Sequence, residues 1–502
     1  MDVGNIVSGF ATALQPNNLL FCFIGVTLGT FVGVLPGIGG LAAISMLLPL
    51  TFYMEPTAAI IMLAGIFYGA QYGGSTASIL MNLPGTAANA VTCLDGYPMS
   101  KAGRAGVALF ITTICSFVGG SLSILVLMFL TPVVAGMATA FGAPEYFAVM
   151  LFALVAGSTV SNSSFLKGLA MMVVGITFGL IGMDMQTGYP RLQFGFQELS
   201  DGLSLVAIAM GLFGISEILN NLINNQSAPF TVQSVRLRSL IPTREDLRVA
   251  ALPTLRGAGV GVVAGILPGA GPTIASFMAY SLEKRVSRNP EKFGNGAIEG
   301  VASPESANNA AVQSEFIPTL SLGIPGDATT AVLLGALMIH GIAPGPGLVN
   351  SHPDLFWGLI ASFWIGNVLL LVLNIPLIGV WVSILRIPYR MLYPAMLFFI
   401  CIGVYSIQNS IFDVYVALAF GVLGLILTIL RFPSSPLLLG FILGPMVEEH
   451  MRNALLISRG NPAIFFHSWI SAVFITGTAI LVIYGVTRKL LEGWNGNPAP
   501  AE

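Results

Sequence analysis

Apolar stretches of about 17–25 residues recur along the whole chain, each long enough to cross ~30 Å of hydrocarbon as a helix. They are too long for the strands of a membrane barrel, which alternate over about ten residues. Only 8% of the 502 residues are charged and the mean hydropathy is +0.85, against roughly a quarter charged in soluble domains. The chain therefore reads as an all-α polytopic membrane protein. Its start, MDVGNIVSGF, has no basic residue ahead of an apolar core, so no cleaved signal peptide is expected and the first spans act as the targeting signal. Cys22, Cys93, Cys115 and Cys401 stand singly in apolar segments, which makes them packing residues. No cofactor and no nucleic-acid partner is expected.

Four of the apolar stretches are broken in a way that a plain span does not tolerate. GVLPGIG (Gly33–Gly39) returns as GILPGAG (Gly265–Gly271), and NLPGTAANA (Asn82–Ala90) is answered by GIPGDATTA (Gly323–Ala331). MLFALVAGSTVSNSSF from Met150 resembles MLFFICIGVYSIQNSIF from Met396. The three matches keep their order, so the chain reads as a duplication. Residues 1–220 form a first transmembrane repeat, 221–250 a basic cytoplasmic linker, 251–450 a second repeat, and 451–502 an extra span with a cytoplasmic tail.

Lysine and arginine favour the cytoplasmic side of a membrane. Lys101 and Arg104 follow the second Pro-Gly motif of the first half, and the matching HGIAPGPGLVNSHPDLF has neither. EKRVSRNPEKF follows the first motif of the second half, and the matching LTFYMEPT has neither; Arg386 and Arg390 match TAFGAPEY, again without either. Three reversals predict inverted repeats. Segment 251–282, basic on both flanks, becomes a re-entrant hairpin with Pro268-Gly269 at its tip, and 17–53 its partner with Pro36-Gly37 at the tip. The N-terminus is then periplasmic and the C-terminus cytoplasmic, with only Arg191, Arg452 and Arg459 outside. A broken crossing helix in place of each hairpin is the competing arrangement.

Non-helical backbone at membrane depth survives only where protein or a watery cavity surrounds it. Proline removes a donor, glycine lets a ligand approach, and the helix ends meeting there offer amides to anions and carbonyls to cations. The substrate-binding candidates are Pro36, Gly37, Gly39, Pro84, Gly85, Pro268, Gly269, Gly271, Pro325 and Gly326, with Ser75, Thr76, Asn82, Thr86, Asn308 and Asn309 as hydrogen-bonding groups. Gln71, Asn89 and Gln313 lie in the same stretches. Glu305 and Asp327 are the coupling-ion candidates, since intramembrane carboxylates are costly and usually functional; Glu315 shares the stretch VASPESANNAAVQSEF. The bland alternatives are that proline and glycine merely kink packed helices and that Glu299 and Glu305 pair with the basic loop ending at Lys292. No lysine or arginine falls within the motifs, so a carboxylate would be held by amide dipoles and hydroxyls, with Na⁺ or H⁺ as coupling cation and no other metal.

An enzyme reading fails on its motif: Ile324 stands where the Gly-x-Gly-Asp pattern of aspartyl intramembrane proteases needs glycine, and no Walker loop is present. GVLPGIGGLAAISMLLPLTF, YGGSTASILMNLPGTAANAVTCLDGYPMSKAGRAGVAL, GILPGAGPTIASFMAYSLEK, GVASPESANNAAVQSEFIPTLSLGIPGDATTAVLLGAL and HGIAPGPGL resemble the large membrane subunit of bacterial tripartite tricarboxylate transporters, the TctA family. That resemblance spans nearly the whole chain. It implies an ion-gradient-driven importer of citrate-like di- and tricarboxylates in the bacterial inner membrane. A small TctB-like membrane subunit and a periplasmic TctC-like solute-binding protein would be its partners, and an elevator motion fits the hairpins. A non-transporting receptor or scaffold subunit, or a channel for small organic anions, is the alternative.

Overall fold

The computed structural model describes residues 3–35, 39–138, 141–159, 164–184, 186–223, 240–269, 271–384 and 389–494. Pro36, Gly37, Arg386, most of the 221–250 linker and the end of the tail lie outside these residues. From the N-terminus, α1 (Val3–Ala13), α2 (Pro16–Val34), α3 (Gly39–Thr51) and α4 (Pro56–Met81) lead to a 3-10 turn at Ala87–Asn89, α5 (Ala90–Met99) and α6 (Ala105–Ala138). After α7 (Ala143–Thr159) and α8 (Phe165–Gly179), β1 (Gly182–Met183) and β2 (Pro190–Arg191) pair antiparallel, and α9 (Leu205–Ala209) runs through a π stretch into α10 (Ser216–Ile223). The second half opens with α11 (Arg244–Ile266), α12 (Gly271–Val286), α13 (Glu299–Ser314), α14 (Phe316–Leu322) and α15 (Ala328–Ile339). It continues with α16 (Leu348–Ser351), α17 (Pro353–Asn374), α18 (Ile378–Ile384), α19 (Tyr389–Gln408) and α20 (Ile411–Ile429), then α21 (Ser434–Ile457) and α22 (Trp469–Trp494). Among the described residues, seven helical stretches are long and apolar enough to cross a membrane. The chain is a multi-pass helical membrane protein.

It forms two compact units, Met1–Thr139 with Leu205–Leu425 and Ala140–Ser204 with Ile426–Glu502. Each unit therefore draws on both sequence halves. In the first unit α4 and α13 are buried nearly all round, as a helix at the centre of a bundle must be. Both are approached by a helix with a glycine on every fourth residue. On α2, any Cβ at Gly25, Gly29 or Gly33 would strike the backbone of Met62, Ile66 or Ala70 on α4. On α11, a Cβ at Gly257, Gly261 or Gly265 would strike the backbone of Ser303, Ala307 or Ala311 on α13. Stripes of small residues let helices pack backbone to backbone where lipid supplies no hydrophobic drive.

Asp95, on α5 and fully buried, joins the halves elsewhere in this unit. Its Oδ1 accepts the backbone amides of Gly294, Gly296 and Ala297 at 2.9, 2.8 and 2.8 Å, and Oδ2 accepts the Tyr280 hydroxyl at 3.0 Å. Asp95→Ala leaves all four donors without their acceptor. It is expected to cost about 2–4 kcal/mol, read as a lower thermal unfolding midpoint in detergent.

In the second unit α21 packs on α7 and α8, and α22 on α7. The ribbon is tied to α21 by two arginines and two acids. Arg452 Nη1 donates to Asp184 Oδ2 at 2.9 Å, Arg191 Nη1 donates to Glu448 Oε1 at 2.8 Å, and Arg452 Nη2 lies 2.9 Å from Glu448 Oε1. The Gln186 amide and the Arg452 guanidinium hold the Asp184 carboxyl well below the usual carboxylate range. A depressed folded value means that this stabilisation is complete above the unfolded value, about 3.9, and is lost as pH falls towards the folded one. The thermal midpoint is accordingly expected to stay level from neutral pH to about pH 4 and drop below it. Asp184→Asn should remove part of that acid step.

Candidate functional site

Each Pro-Gly segment stands directly before a helix start. Gly39 and Gly271 open α3 and α12 with φ of +63° and +56°, a conformation costly for other residues, which is why the two motifs share their last glycine. Asn82 and Gly323, at matching places, end their helices in the left-handed conformation, with φ of 58° and 70°. So Asn82, exposed at this turn, stops α4, while Pro84-Gly85 and Pro325-Gly326 turn the chain into the next helix.

The motifs of each half meet. Gly269 N–H donates to the Gly326 carbonyl at 2.6 Å. In the first half a Cβ on Gly85 would strike the Gly33 carbonyl and Gly74. The 3-10 turn at Ala87–Asn89 packs against α12 and α13, so the first half's second motif also touches the second half.

Glu305 is the hub between the halves. Although fully buried, it accepts from Ser75 Oγ at 2.7 Å, Asn89 Nδ2 at 3.1 Å, Ser116 Oγ at 3.5 Å and, as a short bond, Thr92 Oγ1. Asn309 Nδ2 donates to Ser116 Oγ at 2.8 Å and to the Glu305 carbonyl at 3.1 Å. The Thr86 hydroxyl lies 2.7 Å from Gln71 Oε1 and 2.6 Å from Asn89 Oδ1. Thus Gln71, Ser75, Thr86 and Asn89 from the first half gather with Glu305 and Asn309 from the second. Thr76 is buried on α4 beside them. The partners of Glu305 are all neutral, so it is not paired with the basic loop at Lys292.

Asp327 sits apart from that hub. It caps α15: Thr330 N donates to Asp327 Oδ1 at 2.8 Å, and the Asp327 amide donates to Thr330 Oγ1 at 2.9 Å. Thr86 holds the matching place in the first half, without a side-chain bond to the helix end. Asn308 is buried with neither amide atom hydrogen-bonded, and the carbonyl oxygens of Asn309 and Gln313 and both oxygens of Glu315 share that condition. Acceptor oxygens stripped of partners are therefore concentrated between residues 308 and 315.

Thr92 and Ser116 are missing from the residues singled out in the sequence. Each is an ordinary small polar residue in an apolar helix, and only their convergence on Glu305 across the fold marks them. Glu315 was visible as one carboxylate among several, but its lack of donors was not.

A family model described as the tripartite tricarboxylate transporter TctA family matches residues 19–439. An "Uncharacterized 52.8 kDa protein in TAR-I ttuC' 3'region" of Agrobacterium vitis is 50% identical over 96% of this chain and 96% of that protein. An "Uncharacterized protein in TAR-II ttuC' 3'region" of the same organism is 54% identical over 46% of this chain and 95% of its own length. No solved structure matches.

Proposed function

The chain belongs to the tripartite tricarboxylate transporter TctA family, and on that premise we propose that it imports small di- or tricarboxylates, citrate-like in charge, driven by a cation gradient. It works in the bacterial inner membrane with a small membrane subunit and a periplasmic solute-binding protein. The two halves act as inverted repeats, and an elevator displacement of the hairpin tips carries the substrate.

The observation that carries this reading is the convergence of broken helices from both halves on one buried polar cluster with no cationic side chain. The amide ends of α3, α5 and α12 supply partial positive charge suited to a carboxylate, while the end of α15 is already neutralised by Asp327. An anion is thereby directed towards the tips where these helices begin, and a cation towards the second half's carboxylates. The units built from alternating pieces of the two halves also suit a transporter whose repeats each contribute to a moving and a resting part.

Vesicles containing this chain and both partners are expected to accumulate citrate against its gradient when an inward Na⁺ or H⁺ gradient is imposed. Absence of accumulation under both gradients would make the chain a receptor or scaffold. Equilibration without accumulation would make it a channel.

A further inference from the structure

Two buried carboxylates of the first unit live in opposite surroundings. Glu305 is filled with hydroxyl and amide donors and can stay ionised without a counterion. Glu315, also fully buried, has a donor on neither oxygen. Its side chain lies against the two tips of the second half: a Cβ on Gly326 would touch the Glu315 side chain at 2.6 Å, and one on Gly271 would lie 3.3 Å from Glu315 Oε1 and 3.6 Å from Asp327 Cβ. The ionisable group facing it is a second carboxylate, Asp327, whose Oδ1 is occupied by Thr330.

The neighbouring elements bring no positive charge. α6 carries no charged residue, the nearest charges on α11 and α12 are Arg256 and Glu283, which pair with each other, and Glu305 lies ten residues back on α13. In the first half the corresponding places hold Gly74 and Thr86, with Gly74 packed on Gly85 as Glu315 packs on Gly326. The carboxylate pair is therefore a departure of one half from the other, not something the hairpin needs in order to fold.

We propose that Glu315 and Asp327 together hold the coupling cation, a single Na⁺ or H⁺, between the Pro268-Gly269 and Pro325-Gly326 tips. Acceptor-only oxygens facing each other in a dry site are stabilised by one monovalent cation. The inference rests on the transporter reading and moves the coupling site from Glu305 to Glu315, leaving Glu305 as an organiser of the polar cluster.

The test begins with the wild-type protein purified in detergent. Dicyclohexylcarbodiimide, which modifies protonated buried carboxyls, is followed by mass spectrometry of the peptide containing Glu315. Labelling of Glu315 that is suppressed by added Na⁺ identifies sodium as the ligand; labelling suppressed only by raising the pH identifies the proton. Labelling indifferent to both, or absent at every pH, overturns the proposal. Because this readout needs no transport, it stands even if the vesicles accumulate nothing.

In vesicles with both partners, E315Q and D327N are expected to lose accumulation driven by the cation gradient. Full accumulation by E315Q under either gradient overturns the proposal. Should E315Q elute as an aggregate, D327N and the wild-type labelling still decide it.

Discussion

On the proposed transport function, Glu305→Gln is expected to lower carboxylate uptake by about two orders of magnitude and to cost about 3 kcal/mol of stability. The side chain keeps its size, so packing is not the cause. Asn89 and Thr92 donate to one oxygen of Glu305, and Ser75 and Ser116 to the other. Whichever way the new amide is turned, its NH₂ faces two groups that were donating. Only with its NH₂ turned to Ser75 and Ser116, whose hydroxyls can rotate to accept, does the new amide avoid Asn89 Nδ2, and even then the charge is gone: a hydrogen bond to a buried charge carries about 1.5–3 kcal/mol. Uptake into vesicles and the unfolding midpoint in detergent check the two halves of the statement. Unchanged values for both would show that the cluster does not depend on an ionised hub. Glu305→Asp, still acceptor-only but one methylene shorter, should recover part of the loss.

Gly261→Val is the change with the largest expected effect on folding. A Cβ there would strike the Ala307 carbonyl and lie 2.8 Å from Ala310 Cβ, and valine adds two further methyl groups. Only small side chains such as Ala310 and Ser314 lie between the helices, with little room to give way, so α11 must move off α13, at a cost of about 3 kcal/mol or more. Gly259, two residues away, is the control, because a Cβ there meets nothing within 4 Å. Gly259→Val should change the stability by no more than about 0.5 kcal/mol. Equal effects at the two positions would mean that helix propensity, not close approach, sets the requirement for glycine.

Much of this arrangement is written locally. Pro-Gly breaks in helix-length apolar runs announce interrupted membrane helices, and the matched motifs announce that Gly33 and Gly85 correspond to Gly265 and Gly326. Neutral residues such as Ser75 and Asn89 were legible as site candidates because they sit between two such breaks. What was not legible depends on residues far apart in the chain. Glu305 lies 230 residues from Ser75 and 213 from Thr92, and no local pattern encodes that meeting. The same holds for Asp95, whose acceptor role depends on three amides of a distant loop. Nor does any linear reading show that Ala140–Ser204 belongs with Ile426–Glu502. The every-fourth-residue glycines of α2 and α11 are a signal that could be read from sequence, since each only needs a facing helix of equally close-packed backbone.

The interleaved composition of the two units has a consequence for biosynthesis. The piece Ala140–Ser204 enters the bilayer well before its partners α21 and α22 are translated, an interval of tens of seconds at about 5–20 residues per second. Throughout that time α7 and α8 must wait with the faces meant for α21 and α22 uncovered, in lipid or in the care of the insertion machinery. A chain that ends after Leu425 thus lacks the part of the second unit against which α7 and α8 pack.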